Sequence, residues 1–154
     1  MRQRIYIDTS VIGGCEDDEF SEWSIRLFDE FRQGMRIAVV SDLTRRELEK
    51  APEAVKDVLL SVPESNVENV FLAGEAEALA FHYIESGVVN FKHIVDAQHI
   101  AIASVERVDI LVSWNFRQIV RLDHIRAYNS VNLRLGYPIL EIRSPREVIY
   151  EKEV

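Results

Sequence analysis

The chain has 154 residues, of which 47% are hydrophobic and 29% charged, as expected for one globular domain with a buried core. Its formal net charge of −8 argues against a dedicated nucleic-acid binder, but not against a nuclease whose metal ligands are acids. The single cysteine, Cys15, excludes a disulfide framework and a cysteine-ligated zinc site. With no apolar run long enough to span a bilayer and no signal-peptide core, we predict one cytoplasmic domain over residues 1–154.

Strand and helix patterns alternate along the chain. Short runs rich in β-branched and aromatic residues predict strands at 4–8, 35–41, 109–113 and 138–143, with 67–72 as a strand or an extended connection. An acidic loop is expected at 13–20. Helical spacing and capping signals predict helices at 21–34, 43–50, 52–62, 76–87 and 93–105, from about 115, and from 144.

Helices of ten or more residues between consecutive strands imply crossover connections. We therefore predict an α/β fold with a mainly parallel sheet and helices on both faces. In such folds ligands bind at the carboxyl ends of the strands. Functional residues are therefore expected at that edge of the sheet.

Four polar side chains from separate parts of the chain are expected at this edge. Asp8 ends the first strand, and Glu47 lies on the helix that follows the second. Asn115 follows the strand at 109–113, and Asp96 lies near the start of the helix before it. Their convergence is the main functional signal in the sequence.

Each acid also has an ordinary structural explanation. Asp96 shares a helix face with Ile100 and Ala103, where an acid is costly unless paired or metal-bound, yet it can also interact with the helix dipole or a basic partner. Asp8 can cap the turn that follows it, although the neighbouring hydroxyls can do the same. Glu47 alone fits a solvated helix face. Only the expected proximity of the three acids favours a common chemical role.

Clustered carboxylates without cysteine favour Mg²⁺ or Mn²⁺ and phosphodiester hydrolysis. A zinc or iron site through Asp96 and His99 lacks a second ligand pair, so His99 is interpreted as a helix-surface or core histidine. No dinucleotide-binding or P-loop motif is present. Trp114 can stack on an unpaired base, but packing against a helix is the favoured interpretation.

The segments "IYIDTSVI", "LTRREL", "HIVDAQHIAIA" and "DILVSWNF" occur in this order and spacing, and with them the chain resembles a PIN domain. More narrowly it resembles the VapC-like toxins of type II toxin–antitoxin systems. The resemblance implies a three-layer α/β/α sandwich with a central, mainly parallel sheet. It also implies a Mg²⁺- or Mn²⁺-dependent endoribonuclease for single-stranded RNA that forms a homodimer and is inhibited by a small antitoxin.

The resemblance also assigns roles to particular residues. Asp8, Glu47 and Asp96 match the acids that bind metal directly or through water. Ser10 matches a first-strand position that supports the site by hydrogen bonding, and Ser113 is expected to act in the same way. These five positions form the expected catalytic centre together with the residue two positions after Ser113.

That residue is Asn115, where the family usually has an acid. An amide oxygen can still ligate a cation or orient water, but one negative charge is lost. Asp109 lies ~13 Å from Ser113 along the strand and Asp123 ~12 Å from Asn115 along the expected helix, so neither is a local replacement. The alternatives are therefore a catalytically weakened PIN module acting by protein or RNA binding and, less favoured, a metal-dependent phosphatase or DNA nuclease.

Overall fold

Five parallel strands form one sheet in the order β3-β2-β1-β4-β5, in a computed structural model that describes residues 1–153 and the side chains of residues 1–149. The strands are β1 (Gln3–Ile7), β2 (Arg36–Ser41), β3 (Val67–Val70), β4 (Ile110–Val112) and β5 (Ile142–Arg143). The helices are α1 (Thr9–Gly13), α2 (Ser21–Arg32), α3 (Asp42–Leu48), α4 (Glu53–Leu60), α5 (Gly74–Glu85), α6 (Ile94–Val105), α7 (Leu122–Arg134) and α8 (Pro145–Glu153). The predicted parallel α/β fold is confirmed.

The side chains of each strand alternate between two hydrophobic layers. On β1, Ile5 and Ile7 pack in one layer with α1, α2 and α4, whereas Tyr6 packs in the other with α5, α6 and α7. This two-residue period buries both faces of the sheet. The result is the three-layer α/β/α sandwich that was expected, and none of the helices in residues 1–153 has the length and apolar character needed to cross a bilayer.

Side-chain caps fix where two helices begin. Ser41 ends β2, and its hydroxyl accepts a hydrogen bond from Thr44 N at 3.1 Å, so the strand leads directly into α3, the helix that carries Glu47. The predicted capping box before α8 is confirmed, because Ser144 N donates to Glu147 Oε1 at 3.0 Å and Glu147 N donates to Ser144 Oγ at 3.3 Å. The first of these caps places Glu47 near the carboxyl edge of the sheet.

The predicted start of a helix at about Asn115 is wrong, although a helix does follow. Residues 116–119 form a turn, and α7 begins only at Leu122. Asn115 Oδ1 accepts hydrogen bonds from Arg117 N at 3.1 Å and Gln118 N at 3.0 Å. This is the bonding pattern of a helix cap, but the chain turns away after it.

Two other segments differ from expectation. The strand predicted at 138–143 is reduced to Ile142–Arg143, because the side chain of Asn129 hydrogen-bonds the backbone of Leu140. Asn129 Oδ1 accepts from Leu140 N at 2.7 Å, and Asn129 Nδ2 donates to Leu140 O at 3.0 Å. The Asn129 side chain thus takes the backbone hydrogen bonds of Leu140 that a neighbouring strand would otherwise make. In addition, the short helix α1 lies between β1 and the acidic loop.

Candidate active site

Asp8 is the most buried acid of the site, at 5% exposed. Its Oδ1 accepts hydrogen bonds from Ser10 Oγ at 2.6 Å and Val11 N at 3.3 Å, and its Oδ2 accepts from Ser113 Oγ at 2.5 Å. Asp8 therefore does cap α1, and the same side chain connects the carboxyl ends of β1 and β4. Ser10 also accepts from the backbone N–H of Trp114 at 2.9 Å, which ties the two loops together.

Burial raises the pKa of Asp8, since the charged form loses its hydration. His99, the two serine hydroxyls and the backbone N–H of Val11 oppose that shift. Four neighbouring groups thus favour the carboxylate, yet the loss of hydration outweighs them. A further positive charge nearby would stabilise the ionised form.

Glu47 contacts a histidine from another helix. His99 Nε2 donates to Glu47 Oε1 at 2.9 Å, and this hydrogen bond is the main cause of a lowered pKa for the Glu47 carboxyl. On the other side of the ring, His99 Nδ1 lies 2.6 Å from the Tyr6 hydroxyl, which is also 2.8 Å from Ser41 Oγ. His99 is a core histidine as interpreted from the sequence, but its contact with Glu47 was not predicted.

Asp96 lies in the first turn of α6 and faces the other acids. Its Oδ1 accepts from Asn115 Nδ2 at 3.3 Å, and its Oδ2 is 3.7 Å from His93 Nδ1. Burial raises the pKa of Asp96, and the charges of Asp8 and Glu47 raise it further. The structure therefore brings the three predicted acids within electrostatic reach of one another.

Asn115 is oriented by its neighbours. Its amide oxygen is occupied by the backbone N–H groups of Arg117 and Gln118, so its amide nitrogen faces Asp96. In this arrangement Asn115 donates a hydrogen bond to the acid rather than offering an oxygen to a cation. The side chain thus reduces repulsion around Asp96, where a second carboxylate would increase it.

The oxygen atoms of the acids are the groups that can hold a metal ion. Among the described side chains of residues 1–149, no three His, Cys, Asp or Glu residues already form a metal-binding group. Mg²⁺ does not need such a group, because it keeps several waters and uses one or two carboxylates. The hydroxyl oxygen of Thr9 is buried beside Glu47 and helps to lower the pKa of the Glu47 carboxyl.

Aromatic residues lie on one side of the site. Trp114 is buried, stacks on Phe20 with ring centroids 4.2 Å apart, and donates from Nε1 to Ser24 Oγ at 2.9 Å. The favoured interpretation of Trp114 as a packing residue is therefore confirmed. The neighbouring Phe116 is different, because it is 49% exposed and its centroid lies 6.1 Å from that of Trp114.

A surface depression borders the site on the side of Glu47. It has a volume of about 570 Å³ and is lined by Leu43, Arg46, Glu47, Glu49, Lys50 and Val95. Val95 directly precedes Asp96 in the chain. The depression therefore extends from Glu47 toward two basic side chains, Arg46 and Lys50.

Neither a protein-family model nor a curated protein matches the sequence. Among solved structures, the chain is similar to VapC20 of Mycobacterium tuberculosis, described as a sarcin–ricin loop cleaving toxin, at 14% identity and a TM-score of 0.57 over 73% of this chain and 91% of that one. It is also similar to chains in two complexes. VapBC2 of Rickettsia felis, bound to a promoter DNA fragment, gives 12% identity and a TM-score of 0.58 over 92% and 98% of the two chains. FitAcB of Neisseria gonorrhoeae gives 12% identity and a TM-score of 0.57 over 92% of this chain and 97% of that one.

These identities are low, so the likeness concerns the fold. The sheet order and the helices on both faces agree with a PIN-like α/β/α sandwich. The resemblance to VapC-like PIN proteins inferred from four sequence motifs is thus confirmed at the level of structure: this chain has the PIN-like fold of the VapC-type toxins.

Proposed function

We propose that this protein is a Mg²⁺- or Mn²⁺-dependent endoribonuclease that cleaves single-stranded RNA as the toxin of a toxin–antitoxin pair. The observation that carries the proposal is the convergence of Asp8, Glu47 and Asp96 at the carboxyl edge of a PIN-like sheet. Three acids this close are unfavourable without a counter-ion, and an oxygen-only donor set favours a hard cation. A toxin of the same fold is described as cleaving the sarcin–ricin loop.

In this proposal the residues of the site have separate roles. Asp8, Asp96 and Glu47 hold the ion, and Ser10 and Ser113 keep the Asp8 carboxylate in one orientation. A bound ion of this kind lowers the pKa of a coordinated water and stabilises the leaving oxygen. Asn115 keeps the loop after β4 closed and orients Asp96.

Substrate binding is assigned to two surfaces beside the acids. Arg46 and Lys50 in the depression next to Glu47 are suited to phosphate groups. Exposed Phe116 is suited to stacking on an unpaired base, which is a common device in single-strand recognition. Because the net charge is −8, such local contacts have to replace a general basic surface.

The central experiment is an RNA cleavage assay. Purified protein is incubated with single-stranded RNA and Mn²⁺, Mg²⁺ or EDTA, beside Asp8→Ala, Asp96→Ala and the control Asp123→Asn, which alters an exposed acid paired with Arg121. We expect metal-dependent cleavage by the wild type and the control only. Equal residual cleavage by all four proteins would indicate a contaminating nuclease and contradict the proposal.

Phe116→Ala tests the substrate surface separately. Loss of one base stack is expected to weaken RNA binding by about 1–3 kcal/mol, that is, to raise KM about 5- to 160-fold with little change in kcat. An unchanged KM would remove Phe116 from the binding surface.

The partners proposed are a small antitoxin and a second copy of this chain in the cytoplasm. Two of the similar structures are described as the complexes VapBC2 and FitAcB, which supports a protein partner. A basic antitoxin side chain can occupy the position of the cation among the acids. We expect growth arrest on expression of this chain, relieved by Asp8→Ala, and light scattering at twice the chain mass. The absence of both growth arrest and a dimer would contradict this part of the proposal.

Asn115 supports a second candidate, a PIN module that binds RNA or protein without efficient cleavage. Its amide nitrogen bonds to Asp96 where the family usually supplies a further acid. The cleavage assay separates the candidates when combined with an RNA binding measurement. Binding without metal-dependent cleavage would favour the module over the enzyme.

A further inference from the structure

We propose that His99 is a positioning residue that holds the Glu47 carboxylate in place through a buried hydrogen-bonded chain anchored at Tyr6. The inference rests on the proposed function, because it gives Glu47 a defined place at the acidic site. His99 is not assigned to bind metal or touch RNA. It acts through Glu47.

The chain of contacts is short and closed. Tyr6 of β1 is completely buried, and His99 of α6 is 3% exposed. Successive contacts are 2.8 Å from Ser41 Oγ to the Tyr6 hydroxyl, 2.6 Å from that hydroxyl to His99 Nδ1, and 2.9 Å from His99 Nε2 to Glu47 Oε1. Ser41 also caps α3, the helix that carries Glu47. Both ends of the chain therefore meet on the same helix.

Glu47 needs such support because its own surroundings are open. Its side chain is 40% exposed, and α3 has only seven residues, too few to be stable without tertiary contacts. A free glutamate samples several rotamers, and ordering it costs conformational entropy. His99 fixes Oε1 through its hydrogen bond. Glu47 is thereby prepared before any cation binds.

The alternative is that His99 has a structural role alone, as a buried side chain whose ring nitrogens are hydrogen-bonded. A purely structural histidine needs no acid partner, yet here one ring nitrogen is committed to a site carboxylate. The same ring also lowers the pKa of Asp8 and of Asp96. His99 therefore contacts Glu47 directly and influences the other two acids through its charge.

The test compares His99→Leu with the conservative His99→Gln. Glutamine can still donate to Glu47 and accept from Tyr6, whereas leucine can do neither. We expect His99→Leu to weaken Mn²⁺ binding, measured by calorimetry, about 10- to 100-fold, and His99→Gln to stay within about threefold of wild type. His82→Leu, at a half-exposed histidine paired with Glu85, is the matched control. Thermal unfolding of all variants checks that each is folded.

A double-mutant cycle tests whether the effect passes through Glu47. In a Glu47→Gln background, His99→Leu is expected to cause little further loss of Mn²⁺ affinity. The full loss in that background would mean that His99 acts directly or through general destabilisation, and would overturn the proposal. An unchanged Mn²⁺ affinity in the single variant His99→Leu would also overturn the proposal.

A metal-free measurement separates this inference from the proposed function. Crystal structures of metal-free His99→Leu and His99→Gln are expected to show Glu47 displaced in the first and retained in the second. An unmoved Glu47 in His99→Leu would overturn the positioning role even if the wild type binds Mn²⁺ and cuts RNA. A wild type that neither binds Mn²⁺ nor cuts RNA would refute the proposed function, while the Glu47 orientation would still decide the role of His99.

Discussion

Two polar clusters in this molecule, one buried and one partly exposed, have opposite properties. In the first, which we call the neutral cluster, Tyr83 donates to Asn132 Oδ1, Asn132 Nδ2 donates to Ser104 Oγ at 2.9 Å, and Ser104 Oγ donates to Ile100 O at 2.8 Å. All three polar side chains are buried. Donors and acceptors match, so the neutral cluster is complete without any outside group.

The acidic cluster of Asp8, Glu47 and Asp96 is as well hydrogen-bonded but not complete. Its neighbours supply donors to each carboxylate, yet burial still raises the pKa of Asp8, and burial together with the charges of Asp8 and Glu47 raises the pKa of Asp96. Hydrogen bonds thus fix the geometry but leave the charge uncompensated. The comparison teaches that burial of polar groups does not identify a functional site, whereas uncompensated charge does.

The largest expected effect is that of Asp8→Asn, which removes a charge but keeps the shape. Metal-dependent cleavage is expected to fall at least ~100-fold, because a primary oxygen ligand is lost. The free energy of unfolding is expected to change by less than about 1 kcal/mol, since a desolvated charge is removed while an acceptor remains. Cleavage assays measure the loss of activity, and denaturant unfolding measures the change in the free energy of unfolding. Strong destabilisation with cleavage intact would make Asp8 a structural residue like Asn132.

Asn115→Asp would increase the charge of the acidic cluster. We expect about 10-fold tighter Mn²⁺ binding and a less stable metal-free protein, because a fourth carboxylate faces Asp96. Gln3→Glu, which adds the same charge at the amino end of β1, controls for net charge. Calorimetry with Mn²⁺ gives the affinity. No difference between the two variants would place position 115 outside the ion's surroundings.

Tyr83→Phe tests the neutral cluster. It leaves Asn132 Oδ1 without its donor in a buried position, so we expect a loss of about 1–3 kcal/mol in the free energy of unfolding. Cleavage and Mn²⁺ affinity are expected to match the wild type in the folded protein. A selective loss of metal binding would show that the two clusters are coupled.

The smallest expected effect is a dependence of stability on pH in the metal-free protein. Asp96 has a raised pKa when folded, so the folded state holds its proton longer than the unfolded state, whose Asp pKa is about 3.9. Stability is therefore expected to fall as pH rises from about 4 through the folded pKa, relative to Asp96→Asn. Glu47, with a lowered pKa, contributes the opposite slope in both proteins. Unfolding at a series of pH values in EDTA measures the difference, and parallel curves would contradict it.

The sequence was sufficient to predict the alternation of strands and helices and the meeting of three acids at one edge. Both follow from local periodicity and from the rule for parallel sheets. Asp8, Glu47 and Asp96 are 39 to 88 residues apart in sequence, yet each follows or precedes a strand that was recognisable by itself. The topology then determined their proximity.

Features that depend on side-chain contacts between distant segments could not be predicted. His99 and Glu47 are 52 residues apart, and nothing local indicates that their side chains meet. The shortened β5 depends on Asn129, which replaces strand pairing at Leu140. The sequence around Asn115 looks like a helix start because its side chain does cap two backbone N–H groups, although α7 begins only at Leu122.

The turn held by Asn115 has an evolutionary consequence. Its amide oxygen accepts the N–H groups of Arg117 and Gln118, and an aspartate oxygen can accept the same two bonds. The loop therefore tolerates either residue without being rebuilt. A lineage with this fold can therefore exchange an amide for a carboxylate at this position by a single substitution, which changes the charge beside Asp96 while the architecture stays unchanged.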